Sequence, residues 1–458
     1  MNVLKRVLKI IGFLLIPAII FVTWYAWNAF PAISGFGAKN MCSAVFLQHR
    51  SPESVLKEEL ADFPMSMGSF EVNYTDSSVT GKVWGFAERK AIFRKGIGAT
   101  LVNQYSENQI RSQTIQHPLP PEKDLDTTLW PRGDSCGIIS WKGIDKRKMD
   151  DAVDYCFNEK IDGKPCLTRA VIVVKDGNII AEKYARGYDM HSLQQGWSMT
   201  KSVTSALIGL LVDRGTLSER SSALLPQWKN DSRSAIQLKH LLQQRSGLDF
   251  KENYKMPGTV TRMLFSEGDM AAYTASQALA EPPGTRFYYS SGNSNILSLL
   301  IRKSLGDKSY YALPYDSLFY RISAFSPVIE PDASGTFVGS SYIWATARDY
   351  ARFGLLYLNE GNWFGDQILS TSWINKTRTP ATGDPQKKYG YQFWLNGFSS
   401  DLKTRIYPGV PEDMYMAEGF GGQIIVIIPS KKMVVVRLGV RKFDDKRFLR
   451  KLVESVSD

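Results

Sequence analysis

Three apolar runs, one far from the other two in the chain, set the tightest limit on its fold. Ala170-Val-Ile-Val-Val stands before the midpoint, and Gln423-Ile-Ile-Val-Ile-Ile and Met433-Val-Val-Val-Arg-Leu stand near the end of the 458 residues. β-Branched runs of this length, bounded by turn residues, read as strands. Asp176-Gly177 turns the first run back into Asn178-Ile-Ile-Ala-Glu-Lys-Tyr as a hairpin, and Pro429-Ser-Lys-Lys joins the last two. Helical segments and loops fill the interval from Trp197 to about Thr377. A helix from Lys148 to Asn158 precedes the first run, and a basic helix from Asp445 to Val456 closes the chain. This order predicts an α+β fold: an antiparallel sheet built from both ends, flanked by terminal helices, with a mainly helical domain inserted.

The N-terminus carries a second signal. Lys5, Arg6 and Lys9 precede an uncharged stretch from Ile10 to Phe30, with Trp24, Tyr25, Trp27 and Phe30 at its far end. At ~1.5 Å per residue such a helix spans a hydrocarbon core of ~30 Å. It exceeds the roughly 7–15 apolar residues of a signal peptide, although Ala32-Ile33-Ser34 offers small residues for cleavage. Basic residues ahead of the span put the N-terminus in the cytoplasm and the remainder outside, and the aromatics suit the interface. The expected organisation is a cytoplasmic basic segment 1–9, a transmembrane anchor 10–30, a linker and supporting region 31–148, and a main domain 149–458. Within the third part, Pro31 to Lys39 reads as a glycine-containing linker, and Phe70-Glu-Val-Asn-Tyr and Val79-Thr-Gly-Lys-Val-Trp-Gly-Phe read as short strands.

Cys42, Cys136, Cys156 and Cys166 all follow the span. An even count in an exported chain suggests disulfides, with three possible connectivities. Cys156 and Cys166 could close a short loop, leaving Cys42 with Cys136, and four unpaired, partly buried thiols are the alternative. The net charge of +11, from 56 Lys+Arg against 45 Asp+Glu, is spread along the chain and accompanies no nucleic-acid-binding motif, so no nucleic-acid partner is expected. His49, His117, His191 and His240 lack ligand spacing, so no metal site is expected.

Chemistry concentrates at Gly196-Trp-Ser-Met-Thr-Lys-Ser-Val. Ser198 and Lys201, three apart on a helix, share a face. A hydroxyl becomes a nucleophile when a neighbouring base takes its proton, and a desolvated lysine can do so. Ser198 at the helix start also has free backbone N–H groups and the positive dipole end nearby. The surrounding Gly-Xaa-Ser-Xaa-Thr is not the Gly-Xaa-Ser-Xaa-Gly elbow of α/β-hydrolases.

Further landmarks follow in order: His240-Leu-Leu-Gln-Gln-Arg-Ser-Gly-Leu, Pro283-Gly-Thr-Arg-Phe-Tyr-Tyr-Ser-Ser-Gly-Asn, Ala345-Thr-Ala-Arg-Asp-Tyr-Ala-Arg-Phe-Gly-Leu-Leu and Gly419-Phe-Gly-Gly-Gln. With the Ser198 helix they make the chain from about Ala170 to Gly439 resemble the penicillin-recognising serine hydrolases, in the branch of class C β-lactamases, esterases and 6-aminohexanoate-dimer hydrolases. The resemblance implies a β-lactamase/transpeptidase-like fold and makes Tyr289 the catalytic tyrosine, with Tyr288 the neighbour that packs. A phenol beside an ammonium can relay a proton to the leaving group, and either Lys201 or Tyr289 can be the base. Ser291 occupies the family's asparagine position. Phe420 stands where the family has a lysine or histidine that holds a substrate carboxylate, if Gly421 and Gly422 fill the rest of that motif. These glycines allow close approach of substrate, and the Gln423 N–H can join that of Ser198 as an oxyanion hole. The Tyr389-Gly-Tyr-Gln-Phe-Trp394 cluster lines an acyl pocket or packs the core.

The sequence therefore predicts a membrane-anchored, extracytoplasmic serine hydrolase that cleaves a small amide, peptide-like or ester substrate through an acyl-enzyme, a mechanism needing no cofactor. A penicillin-binding, D,D-peptidase-like enzyme and a non-catalytic cell-envelope module are the alternatives.

Overall fold

A computed structural model describes residues 2–457, with side chains described at Phe13 and from Leu15 onward. The side chains of Lys5, Arg6 and Lys9 and of the first residues of the expected span lie outside the described residues. The chain forms two units. The first comprises residues up to Lys95, Ala99–Arg111 and Lys251–Gly268; the second comprises Gly96–Gly98, Ser112–Phe250 and the chain from Asp269 on. Residues 112–148 belong with the larger unit. Arg352 holds them there, donating to the carbonyls of Pro131 and Gly133 and to the Asp134 carboxylate.

In the first unit α1 (Asn2–Phe46) is one helix. Most of its described apolar side chains between Phe13 and Trp27 are exposed, and those from Ala29 to Val45 are buried or half-buried. The linker expected from Pro31 to Lys39 is instead helical and packed. Its glycines serve contact: a Cβ on Gly35 would lie 2.9 Å from the Phe265 carbonyl oxygen, and one on Gly37 only 2.0 Å from the Phe70 ring. Strands β1 (Gly68–Asn73), β2 (Ser78–Val83), β3 (Phe86–Arg94) and β4 (Gly98–Leu101) form a sheet in that order.

The second unit is layered about a six-stranded sheet. Helix α2 (Lys146–Asn158) leads to β5 (Thr168–Lys175) and β6 (Asn178–Tyr184); α3 (Thr200–Asp213), α4 (Ser291–Leu305) and α5 (Ala347–Leu358) belong to the intervening helical region. The chain then returns through β7 (Trp394–Leu395), β8 (Tyr415–Gly419), β9 (Gln423–Ile428), β10 (Met433–Gly439) and α6 (Asp445–Glu454). The strand order is β7-β8-β9-β10-β5-β6, antiparallel throughout. Alternation explains the unbroken apolar runs. Ile172, Val174, Ile425, Ile427, Val434 and Val436 face one core with α3 and α5, while Val171, Val173, Val426 and Val435 face another with α2 and α6.

Cys136, Cys156 and Cys166 are thiols, so neither expected disulfide forms. Cys156 and Cys166 lie in the α2–α6 core, where burial raises both thiol pKa values and leaves them as small apolar packing groups.

Candidate active site

Ser198 sits in the turn Trp197–Met199 that leads into α3. Trp197 takes the left-handed conformation, φ 48°, which a bulky residue adopts only when its surroundings enforce it. Those surroundings are visible. Gly196 N–H donates to the Ile343 carbonyl (2.8 Å), and Thr200 Oγ1 donates to the Trp197 carbonyl (2.6 Å) while accepting from Ile343 N–H (3.1 Å). The turn is thereby tied to the strand Ile343–Ala345.

Lys201, the second residue of α3 and 1 % exposed, donates from Nζ to Ser198 Oγ and to the Ser340 carbonyl, both at 2.9 Å. Asn295 of α4 accepts from Ser340 N–H (3.1 Å) and so fixes that carbonyl. Lys201 Nζ also lies 5.0 Å from the centre of the Tyr289 ring. Helix spacing joins the first two groups, and the chain just before α4 supplies the third. Tyr289 stacks on Trp394 (5.1 Å, 26°) and meets Tyr389 edge-on (5.9 Å), so part of the aromatic cluster shapes the surroundings of the phenol. Tyr288, expected to be the neighbour that packs, is instead 42 % exposed, more than the half-buried Tyr289.

A buried amide network anchors this region, and sequence reasoning missed it. Gln392 Nε2 donates to the Leu241 and Leu242 carbonyls, while its Oε1 accepts from Ser294 Oγ (2.7 Å) and Gln244 Nε2 (3.2 Å). Gln244 Oε1 in turn accepts from Asn293 Nδ2 (2.8 Å) and Ser290 N–H (3.2 Å). The network thus holds the start of α4 and, with it, Tyr289. Ser291 is the first residue of α4 and completely buried, so it presents no surface to a substrate in this state.

The β8–β9 turn lies beside the nucleophile. A Cβ on Gly419 would stand 2.2 Å from the Gly196 carbonyl oxygen, and the Phe420 ring meets Trp197 edge-on at 5.5 Å. Gly421 and Gly422 both have positive φ, 76° and 80°, which glycine alone adopts freely. The Gln423 side chain braces the turn from inside: Nε2 donates to the Phe420 (3.0 Å) and Gly439 (2.5 Å) carbonyls, and Oε1 accepts from Gly439 N–H (2.9 Å).

Arg437 of β10, fully buried, was not singled out from sequence. Its Nη1 donates to the Gly421 (2.9 Å) and Gly422 (3.0 Å) carbonyls, and its Nη2 to the Cys166 carbonyl (3.2 Å) and Thr168 Oγ1 (2.8 Å). Burial lowers its pKa to about 10, still a cation near neutrality. His240 accepts through Nδ1 from Gln237 N–H (3.2 Å) in a helix cap. Burial lowers its pKa to about 4, which keeps it neutral.

The arrangement offers a hydroxyl, an amine and a phenol at one place, with two glycines in the adjoining turn. The chain is 24 % identical to 6-aminohexanoate-dimer hydrolase of Paenarthrobacter ureafaciens over 289 residues, 59 % of this chain and 72 % of that protein. Among solved structures, EstCE1, a hydrolase with promiscuous acyltransferase activity, matches with TM-score 0.54 at 15 % identity, covering 68 % of this chain and 99 % of its own. A class C β-lactamase in complex with cefoxitin matches with TM-score 0.51 at 17 % identity, covering 68 % and 100 %. These likenesses show the β-lactamase/transpeptidase-like fold. With the Beta-lactamase family model matching residues 156–454, more than half of its length, this chain belongs to the β-lactamase family of hydrolases.

Proposed function

We propose that the protein is a membrane-anchored, extracytoplasmic serine hydrolase working through an acyl-enzyme on Ser198. The observation that carries the reading is the 2.9 Å contact from the buried Lys201 amine to Ser198 Oγ, with the Tyr289 ring beside the same amine. Ser198 Oγ attacks the carbonyl carbon of an amide or ester as its proton passes to Lys201 or Tyr289. That proton then goes to the leaving amine or alcohol, and water, deprotonated by the same groups, releases the acyl chain. The N–H groups of Ser198 and Gln423 stabilise the tetrahedral oxyanion.

The substrate is a small amide, a short amide or peptide oligomer, or an ester. Phe420, 55 % exposed at the turn tip, offers no charge to a substrate carboxylate, which favours acyl groups without one over penicillins or D,D-peptides. The exposed apolar length of α1 supports the anchor. The test is a fluorophosphonate serine probe on the full chain in detergent, followed by turnover of aryl esters, amide dimers and a chromogenic cephalosporin. Labelling and ester or amide turnover, both lost in Ser198→Ala, are expected. Undiminished turnover in that variant overturns the mechanism, and stable labelling by a fluorescent penicillin would favour the D,D-peptidase-like alternative.

A further inference from the structure

We infer that the β2–β3 hairpin tip of the first unit is a second membrane contact, inserted at the interface beside the point where α1 leaves the bilayer. The inference rests on the membrane anchoring proposed above. Along α1, Leu15, Ile16, Ile19, Ile20, Phe21 and Val22 are all exposed. At 100° per residue these positions cover every side of the helix, so this stretch has no polar face to turn to water. Exposure of large side chains ends at Trp27, and Ala29 is buried, which puts the bilayer boundary near Phe30.

The hairpin tip lies at that level. Trp84 meets Phe30 edge-on with ring centres 5.5 Å apart, and Ser34 Oγ, one turn further along α1, donates to the Ala87 carbonyl (2.5 Å). Val83 pairs with Phe86 across a two-residue turn, Trp84-Gly85, with φ of 50° and 84°. Such a turn favours Asn-Gly or Asp-Gly, because its first residue must also take positive φ. A tryptophan there is strained, yet Trp84 and Phe86 remain 67 % and 69 % exposed. Folding alone gives little reason for two large aromatics at that tip; an interface that favours amphipathic rings does. Behind the tip, Lys82 and Glu88 form an ion pair (3.0 Å) at the depth of the headgroups.

The opposite end of the sheet supplies the control. Tyr74, in the β1–β2 turn, packs on Phe46, sixteen residues beyond Phe30 on α1 and so ~24 Å along the helix axis. The experiment places a bimane label at Phe86→Cys or at Thr75→Cys in the full chain carrying Cys136→Ser, reconstituted into phosphatidylcholine–phosphatidylglycerol liposomes. At position 86 the label should emit to the blue and be quenched several-fold more by lipids brominated near the glycerol than by aqueous iodide. At position 75 the order should reverse. Chains that float with the liposomes while both labels are equally open to iodide overturn the tip contact and leave the anchor standing; chains that do not float overturn the anchor and the tip contact together. As a second measure, Trp84→Asn should melt in detergent at or above the parent temperature, whereas a lower melting temperature would make Trp84 a packing residue and refute the inference.

Discussion

Replacing Arg437 with methionine tests how the turn beside Ser198 is held. The guanidinium serves four acceptors: the buried carbonyls of Gly421 and Cys166, buried Thr168 Oγ1, and the partly buried Gly422 carbonyl. A buried acceptor left without a donor costs about 1–3 kcal/mol, so the three buried ones together cost about 3–9 kcal/mol. Removing a buried cation relieves a desolvation penalty of several kcal/mol. Methionine fills much of the volume under the Phe443 ring, which the guanidinium now contacts at 4.3 Å. The lost donors win, and the net destabilisation of the second unit should be about 2–6 kcal/mol. Because two of the orphaned carbonyls belong to Gly421 and Gly422, the turn should loosen, and kcat should fall about 10–100-fold at temperatures where the variant is folded. Arg437→Lys keeps the charge but cannot span acceptors on both sides of the planar fork, so it should fall between. Urea midpoints by circular dichroism and kcat on an aryl ester are the two readouts. A folded Arg437→Met enzyme with parental kcat would refute the argument that Arg437 positions the turn, whatever its stability.

Three further outcomes are expected. Lys201→Met should reduce acylation of Ser198 by about 10²–10⁴-fold, measured as the rate of fluorophosphonate labelling in protein shown to be folded. Gly419→Ala would bring a Cβ to 2.2 Å from the Gly196 carbonyl oxygen, backbone that cannot swing away, so stopped assays should show kcat reduced far more than KM is raised. Burial and the neighbouring Asp445 raise the Glu418 carboxyl from 4.5 to about 7. The folded state then favours the protonated acid, so this group's contribution to stability is full below about pH 4.5 and is lost as pH rises through about 7. Glu418→Gln should accordingly raise the urea midpoint at about pH 8 and change it little at about pH 4, and equal shifts at both values would contradict the assignment.

The strands were readable because their signal is local: β-branched runs need both faces buried, and the sheet buries both. Ser198 and Lys201 were readable because helix geometry alone puts them together. Tyr289 needed a resemblance, since its approach to Lys201 depends on the fold around α4. Gln392 and Arg437 gave no sign, for their partners are brought in by other segments of the fold and several are backbone carbonyls, which carry no sequence identity. Gly35 and Gly37 misled in the other direction: glycine marks a flexible linker and a close helix contact alike, and only the Phe265 and Phe70 groups packed on them distinguish the two. The cysteine pairings failed similarly, because an even count says nothing about whether thiols in a core are turned toward each other.

The most direct measurement is peptide mass spectrometry of the chain after brief reaction with a fluorophosphonate, or with a slowly deacylating aryl ester, followed by an acid quench. A covalent adduct confined to the peptide containing Ser198, lost in Ser198→Ala and slowed in Lys201→Met, is the predicted result. Hydrolysis of the same ester with no adduct on that peptide, or with full activity in Ser198→Ala, would contradict a hydroxyl activated by a buried amine one helical turn away.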